Sequence, residues 1–317
     1  MLYSAWTKGK KHTKLHKPRQ DRFITYQDGS CTILIIADGH GGESYVRSGF
    51  GARIACNVAL DILKADLCTD QYPIAIKEKF DRLVKKHISL KPLFPFEKEK
   101  LGNLPEEYSY GTTLLSVKIT QDGITALQIG DGKICLLNKD GMPFTELPED
   151  TNCIGSNTSS LVQENAIHKF RYAYYSESAT CALLYTDGYE PKANYPWTIF
   201  ENIKPQYSNE ELRQELTSRD KYGDDQTILL LVDDSNFDSE LFHKGISAIK
   251  TIYSNQRKKT RLQNELVSLQ SFLSSALVKY KSIYSRQVKD AEEFKRKSIE
   301  PRYQEYLDIK QQLDNLS

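Results

Sequence analysis

The chain lacks any long apolar run. No stretch approaches the roughly 20 residues that a bilayer span needs. The opening M-L-Y-S-A-W-T-K-G-K-K-H places charges where an export signal carries its apolar core. The expectation is a cytoplasmic protein with no membrane partner. A charge bias is also missing: 43 Lys and Arg stand against 42 Asp and Glu, a formal net charge of +1. That balance gives no footing for nucleic acid as a partner. The six cysteines, at 31, 56, 68, 135, 153 and 181, form no C-x-x-C pair and no Cys/His ligand spacing. They read as reduced thiols, with Cys31, Cys135 and Cys181 in or beside apolar runs. Internal repeats and low-complexity segments are absent, as are G-x-G-x-x-G and G-K-[ST], which removes the common nucleotide-binding loops.

What is present is an ordinary share of apolar residues, 39 %, enough for a core. Their pattern changes near residue 235. Before it, short β-branched runs alternate with breaks rich in glycine and aspartate. Thr32 to Ala37 (T-I-L-I-I-A) is continuously apolar, as in a strand buried on both faces. Thr112 to Thr120 and Ile124 to Ile129 flank Asp122-Gly123, a hairpin signal. Lys133 to Asn138, Thr180 to Tyr185 and Thr227 to Val232 are further strand candidates. Glu43 to Leu63 reads as a helix, with Val46, Phe50, Ile54, Val58 and Ile62 spaced by four, and Ile74 to Ile88 as a second. Hairpins outnumber βαβ units, so the class is α+β. Residues 1–234 form one expected domain and residues 235–317 a helical extension.

The extension has almost no glycine or proline apart from Gly245 and Pro301. Leu262, Leu266, Leu269, Leu273, Ala276, Tyr280 and Ile283 follow a heptad seam. Two readings stay open: a coiled coil that makes a dimer or holds a partner protein through residues 240–300, or a helical hairpin. Pro301 is expected to stop or kink the helix.

The chemistry-bearing feature is a repeated position, an aspartate at the mouth of an apolar run. Asp38-Gly39 follows T-I-L-I-I-A, Asp131-Gly132 follows A-L-Q-I-G, and Asp187-Gly188 follows A-L-L-Y-T. Asp224-Asp225 precedes Q-T-I-L-L-L-V. A charge at the edge of a buried strand is costly unless it is paired or binds a metal. Oxygen ligands of this kind select Mg²⁺ or Mn²⁺. Asp-Gly is also the commonest turn dipeptide, so one occurrence means little; Asp122-Gly123 and Asp140-Gly141 read as turns only.

The ordered set is specific. Asp38-Gly39-His40-Gly41-Gly42, Gly111-Thr112-Thr113, Ile129-Gly130-Asp131, Thr186-Asp187-Gly188 and Asp224-Asp225-Gln226-Thr227, with Gln20-Asp21 upstream, resemble the ordered motifs of the PP2C (PPM) metal-dependent protein phosphatases. The resemblance covers roughly residues 10–234. It implies a four-layer αββα sandwich, two antiparallel sheets flanked by helices, with two Mn²⁺ or Mg²⁺ ions in a cleft at one end and a third, weaker ion. It implies that Asp38 bridges both metals, that the Gly39 carbonyl binds the second, and that Asp187 and Asp224 hold the first. Asp131 helps with the third ion, and Asp21 meets the second directly or through water. A water between the ions attacks phosphoserine or phosphothreonine on a protein that a kinase has phosphorylated, and His40 is the general acid. The sequence departs from the pattern twice. Gln20 replaces the usual glutamate, and the position of a phosphate-binding arginine holds His16, with Lys17 and Arg19 nearby. A rival reading is a catalytically weak or inactive scaffold that acts through its helical tail.

Overall fold

A computed structural model describes residues 1–148, 158–177, 179–189, 208–218, 223–233 and 239–316. Cys153 and the domain boundary expected at 234/235 lie outside them. The chain divides into two compact units, Met1–Ile246 and Ser247–Ser317.

The first unit holds two antiparallel sheets. One has the strand order β1 (Leu2–Thr7), β9 (Gln226–Val232), β8 (Cys181–Tyr185), β6 (Lys133–Leu137). The other has the order β2 (Arg22–Gln27), β3 (Cys31–Ala37), β4 (Leu114–Thr120), β5 (Ile124–Ile129), β7 (Arg171–Tyr175). Side-chain alternation explains the apolar run of β3. Leu34 and Ile36 join Leu115, Val117, Ala182, Leu184 and Leu229 between the sheets. Ile33, Ile35 and Ala37 face the other way, against helices α2 (Ser48–Leu63) and α3 (Tyr72–Leu90). On the outer side of the other sheet, α6 (Asn209–Ser218) packs on β1. The α+β sandwich expected from the sequence is the observed fold.

Helix α2 differs from its expected form. It starts at Ser48, not Glu43, because residues 42–48 turn twice: Tyr45 N–H donates to Gly42 O and Ser48 N–H to Tyr45 O, both 3.1 Å. Its buried face is small, with Ala52, Ala55, Val58 and Ala59, so the helix lies close to the sheet. Phe50, placed by spacing on the apolar stripe, is 44 % exposed.

Arg47, just before α2, carries a buried network. Its guanidinium donates to both Glu97 carboxylate oxygens at 3.0 and 2.6 Å, to Tyr110 Oη at 3.0 Å and to the Lys91 and Pro92 carbonyls at 2.5 and 2.9 Å. Its own N–H donates to Ser109 O at 2.8 Å. One side chain thus joins α2, the end of α3, helix α4 (Pro95–Leu101) and the turn Glu106–Tyr110.

In the second unit, the seam of the long helix α7 (Ser239–Tyr284) pairs within the chain. Leu262 and Leu269 pack with Ile309, flanked by Leu266, Tyr306 and Leu313, against the returning helix α9 (Glu300–Asp314). The packing joins two helices of the same chain. Pro301 sits in the first turn of α9, where its missing N–H costs least, and a π-helical turn, Lys295–Ile299, joins α9 to α8 (Val288–Phe294). Among the described residues no helix is long and apolar enough to cross a membrane.

Removing one partner of a buried ion pair leaves the other unpaired, at a cost of about 3–5 kcal/mol. Glu97→Ala is therefore expected to lower the stability of the first unit by about 3 kcal/mol in urea denaturation. Lys79→Ala, which breaks a pair with the exposed Asp61, should cost under about 1 kcal/mol.

Candidate metal centre

Antiparallel pairing brings the aspartates together. Arg22 pairs with Ala37, Leu114 with Ile129, and Tyr185 with Ile228. Hence the start of β2, the ends of β3, β5 and β8, and the start of β9 share one end of the sandwich. Asp21, Asp38, Asp131, Asp187 and Asp224 all sit there.

Asp38 is the middle of the group. Its buried carboxyl lies close enough to Asp21 and Asp187 for both to act on it. Burial raises the Asp38 carboxyl well above the usual carboxylate range, and Asp21 and Asp187 add to it. Burial, then the charge of Asp225, raises Asp21. Burial, then Asp131 and Asp224, raises Asp187. Asp21 is 1 % exposed; its Oδ2 accepts from Thr227 Oγ1 at 2.8 Å and Thr186 Oγ1 at 3.1 Å, while Oδ1 is buried without a hydrogen-bond partner among the described residues. Asp131 accepts from Thr158 Oγ1 at 2.5 Å.

The neighbouring motifs hold this group in place. Thr112 Oγ1 and Thr113 N–H both donate to Asp38 O at 2.8 Å, and Asp38 N–H donates to Thr113 Oγ1 at 3.1 Å. Gly111 must lack a side chain, since a Cβ there would lie 2.4 Å from the Tyr45 ring and 2.7 Å from His40. At Gly188 a Cβ would lie 2.0 Å from Asp225 O. His40 packs edge-on to Tyr45, with ring centroids 4.8 Å apart. Its Nε2 is buried without a hydrogen-bond partner, and burial lowers the imidazole to about 4 against the opposing pull of Asp131.

The second aspartate of the Asp224-Asp225 pair has a separate task. Asp225 is 2 % exposed. Its carboxylate accepts from Gly9 N–H at 2.9 Å and Gln20 N–H at 2.5 Å, and His12 Nδ1 lies 3.0 Å away. It clamps the N-terminal segment beside the cleft, while the Asp224 side chain is 49 % exposed, with its Oδ1 accepting from Asp225 N–H at 2.8 Å and lying 3.9 Å from His12 Nε2. Nothing in the sequence separated His12 from a surface histidine. Thr186 and Thr227 were inside quoted motifs, but their contact with Asp21 appears only in the fold.

Gln20 is buried, and its Nε2 donates to Ser48 Oγ at 2.5 Å and His40 O at 3.2 Å. A glutamate here would set a carboxylate oxygen against that carbonyl. The basic candidates separate. His16 is exposed and holds a left-handed backbone, φ 53°. Lys17 contacts the N-terminal helix through its N–H, donated to His12 O. Arg19 alone stays beside the carboxylates: its guanidinium covers Trp6 at 4.1 Å, and Asp21 and Asp225 oppose the lowering that burial imposes on it.

Among the described residues no set of three carboxylate, imidazole or thiol groups already surrounds one point. Asp21, Asp38 and Asp187 face one another instead. The donor set nevertheless fits hard divalent cations: crowded, desolvated carboxyls that hold their protons release them when a cation supplies the charge.

The raised carboxyls set a sign for pH. The folded state binds these protons more tightly than the unfolded chain does, so stability is greatest near the unfolded carboxyl range and falls as pH rises towards neutrality. In chelator the melting temperature should drop by several degrees between about pH 5 and about pH 7.5. Mn²⁺ should raise it more at the higher pH, and Asp38→Asn should flatten the metal-free profile.

Comparison with known proteins bears on the family and the fold. The protein phosphatase 2C family profile matches residues 8–220. No curated protein matches the chain. Among solved structures, one described as a bacterial serine phosphatase is 12 % identical, covers 74 % of this chain and 97 % of its own, and superposes with a TM-score of 0.50. The S. agalactiae serine/threonine phosphatase is 17 % identical over 73 % of this chain and 99 % of its own, with a TM-score of 0.48. RsbX, solved in complex with magnesium, is 18 % identical over 72 % of this chain and 92 % of its own, with a TM-score of 0.44. Such identities bear on the fold alone; the family rests on the profile. The chain belongs to the protein phosphatase 2C family and is a metal-dependent protein serine/threonine phosphatase.

Proposed function

We propose that the cleft takes two Mg²⁺ or Mn²⁺ ions and hydrolyses phosphoserine and phosphothreonine on proteins that a serine/threonine kinase has modified. The observation that carries this reading is the buried Asp38 carboxyl, raised well above the usual range by burial and by its neighbours Asp21 and Asp187. When bound, the ions would supply an activated water and neutralise charge on the phosphoryl oxygens.

The residues take distinct parts. Asp38, beside both Asp21 and Asp187, would hold both ions. Asp187 and Asp224 would complete one side, and the Gly39 carbonyl and Asp21 the other. Asp131, beside Asp187, is the carboxylate for a third, weaker ion. Arg19 is the basic group we assign to the substrate phosphoryl; His16 and Lys17 lack its proximity to Asp21. His40 would give the leaving alkoxide its proton. In the metal-free cleft the imidazole is neutral, so a bound phosphoryl dianion is what would favour its protonated form.

Asp38→Asn is expected to lower Mn²⁺-dependent turnover of a phosphothreonine peptide by about 10³-fold, with circular dichroism unchanged. A variant within threefold of the parent would remove the proposed bridge. His40→Gln separates its role by leaving group. An alkoxide needs a proton and p-nitrophenolate does not, so the peptide should lose about 10²-fold while p-nitrophenyl phosphate loses little. Equal losses on both substrates would argue against His40 as the acid.

A further inference from the structure

The segment Pro92-Leu93-Phe94-Pro95-Phe96 spends its apolar residues unevenly. Leu93 is buried at 5 % exposure, but Phe94 and Phe96 are 61 % and 58 % exposed, with rings stacked at 5.7 Å and 8°. Leu90, ending α3, is 70 % exposed, and Phe50 of α2 is 44 % exposed beside His87, one turn before Leu90. Large apolar groups gathered on a surface, unlike scattered single ones, mark interaction sites.

These side chains are also mounted rigidly. Pro92 and Pro95 restrict the backbone, and Arg47 holds the Lys91 and Pro92 carbonyls. Phe94 N–H donates to Glu97 Oε2 at 2.8 Å, the carboxylate that Arg47 grips. Fixed aromatic anchors lose little entropy when a partner covers them. The same Arg47 ties the patch to the catalytic end, since its N–H binds Ser109 and its guanidinium binds Tyr110, next to the Gly111 that packs on His40.

The rim is basic. The Arg53 guanidinium lies 5.8 Å from the Phe50 ring centre. Lys86, one turn before Leu90, and Lys91, beside it, are exposed. Between residues 82 and 100 the only exposed acid is Glu99, because Glu97 is buried against Arg47. A basic ring around apolar anchors suits an acidic segment with large apolar side chains, and disfavours a second copy of the same basic surface.

We propose that the patch of Phe50, Leu90, Phe94 and Phe96 docks an acidic segment with apolar anchors on the phosphoprotein substrate, outside the catalytic cleft. This rests on the phosphatase reading and adds a second point of substrate attachment. It turns the capture of the phosphoryl group into an intramolecular event, which lowers KM and leaves the chemical step alone.

The test uses the full chain with Mn²⁺ and two phosphothreonine peptides. Each carries a tail on about 15 Gly/Ser residues, a flexible reach of roughly 20 Å. One tail is acidic with Leu and Phe anchors; the other has serine at the anchors. The apolar tail should lower KM about fivefold at constant kcat. Phe94→Ser with Phe96→Ser should abolish that gain, Lys86→Glu with Lys91→Glu should reduce it, and p-nitrophenyl phosphate hydrolysis should stay within twofold of the parent. Equal KM values for the two tails in the parent would overturn the proposal. So would light scattering that shows a dimer made monomeric by the Phe94/Phe96 change, since the occupant would then be a second copy. If the parent hydrolyses no phosphoester, the phosphatase reading fails separately, and anisotropy with the unphosphorylated, fluorescent apolar-tail peptide still decides docking: binding lost in the Phe94/Phe96 variant supports it, and no binding rejects it.

Discussion

Crowding of carboxyl groups at one end of two sheets is the constraint on which the rest of the structure depends. Asp38 is buried beside Asp21 and Asp187 in a desolvated place, and Asp131 and Asp224 raise Asp187 further. Left to themselves, such groups would repel one another and draw in water. They stay because the backbone gives them no alternative. Thr112 and Thr113 fasten the Asp38 carbonyl, Thr186 and Thr227 fasten the Asp21 carboxylate, and the register of β2, β3, β8 and β9 sets the spacing. The protein stores an unfavourable arrangement, one that a bound cation would relieve, and a metal held there would be tied to stability.

Around that strained end the fold uses two buried charges as fasteners. Asp225 holds Gly9 and Gln20 by their N–H groups, so the N-terminal segment closes one wall. Arg47 gathers α2, the α3–α4 connection and Tyr110 into one network. Each holds backbone next to a family motif: Asp225 beside Gln20-Asp21, and Arg47 beside Gly111. Gln20 shows how local the tuning is. It sits where the family often has a glutamate, and its amide instead donates to the His40 carbonyl and Ser48.

Strands buried on both faces were legible as apolar runs: β3, β4, β5, β6, β8 and β9 fall where the sequence places them, within a residue or two. The strands that escaped, β1, β2 and β7, all lie at sheet edges. Few of their side chains are fully buried: β7 (R-Y-A-Y-Y) alternates between half-buried and exposed, β2 is half-buried along most of its length, and in β1 only Tyr3 and Ala5 are buried, so none reads as a continuous apolar run. The same logic misread α2. A spacing of four marked Phe50 as core, but the face that meets the sheet is built from alanines, which carry little hydrophobic signal. The heptad seam of α7 was readable as a seam; whether its partner lay in the same chain was not.

The sequence by itself determined the motifs, their order, the strand-end positions of the aspartates and hence the family. These are local facts, written in neighbouring residues. Only the tertiary structure decided that Asp38 lies close to Asp21 and Asp187, that Asp225 clamps the N-terminal segment while the Asp224 side chain stays half exposed, and that Arg19 feels the charges of Asp21 and Asp225. It also turned Phe50, Phe94 and Phe96 outward. Each of those outcomes depends on which segments pair across large sequence separations and on what is left uncovered once they do, and no local pattern carries that information.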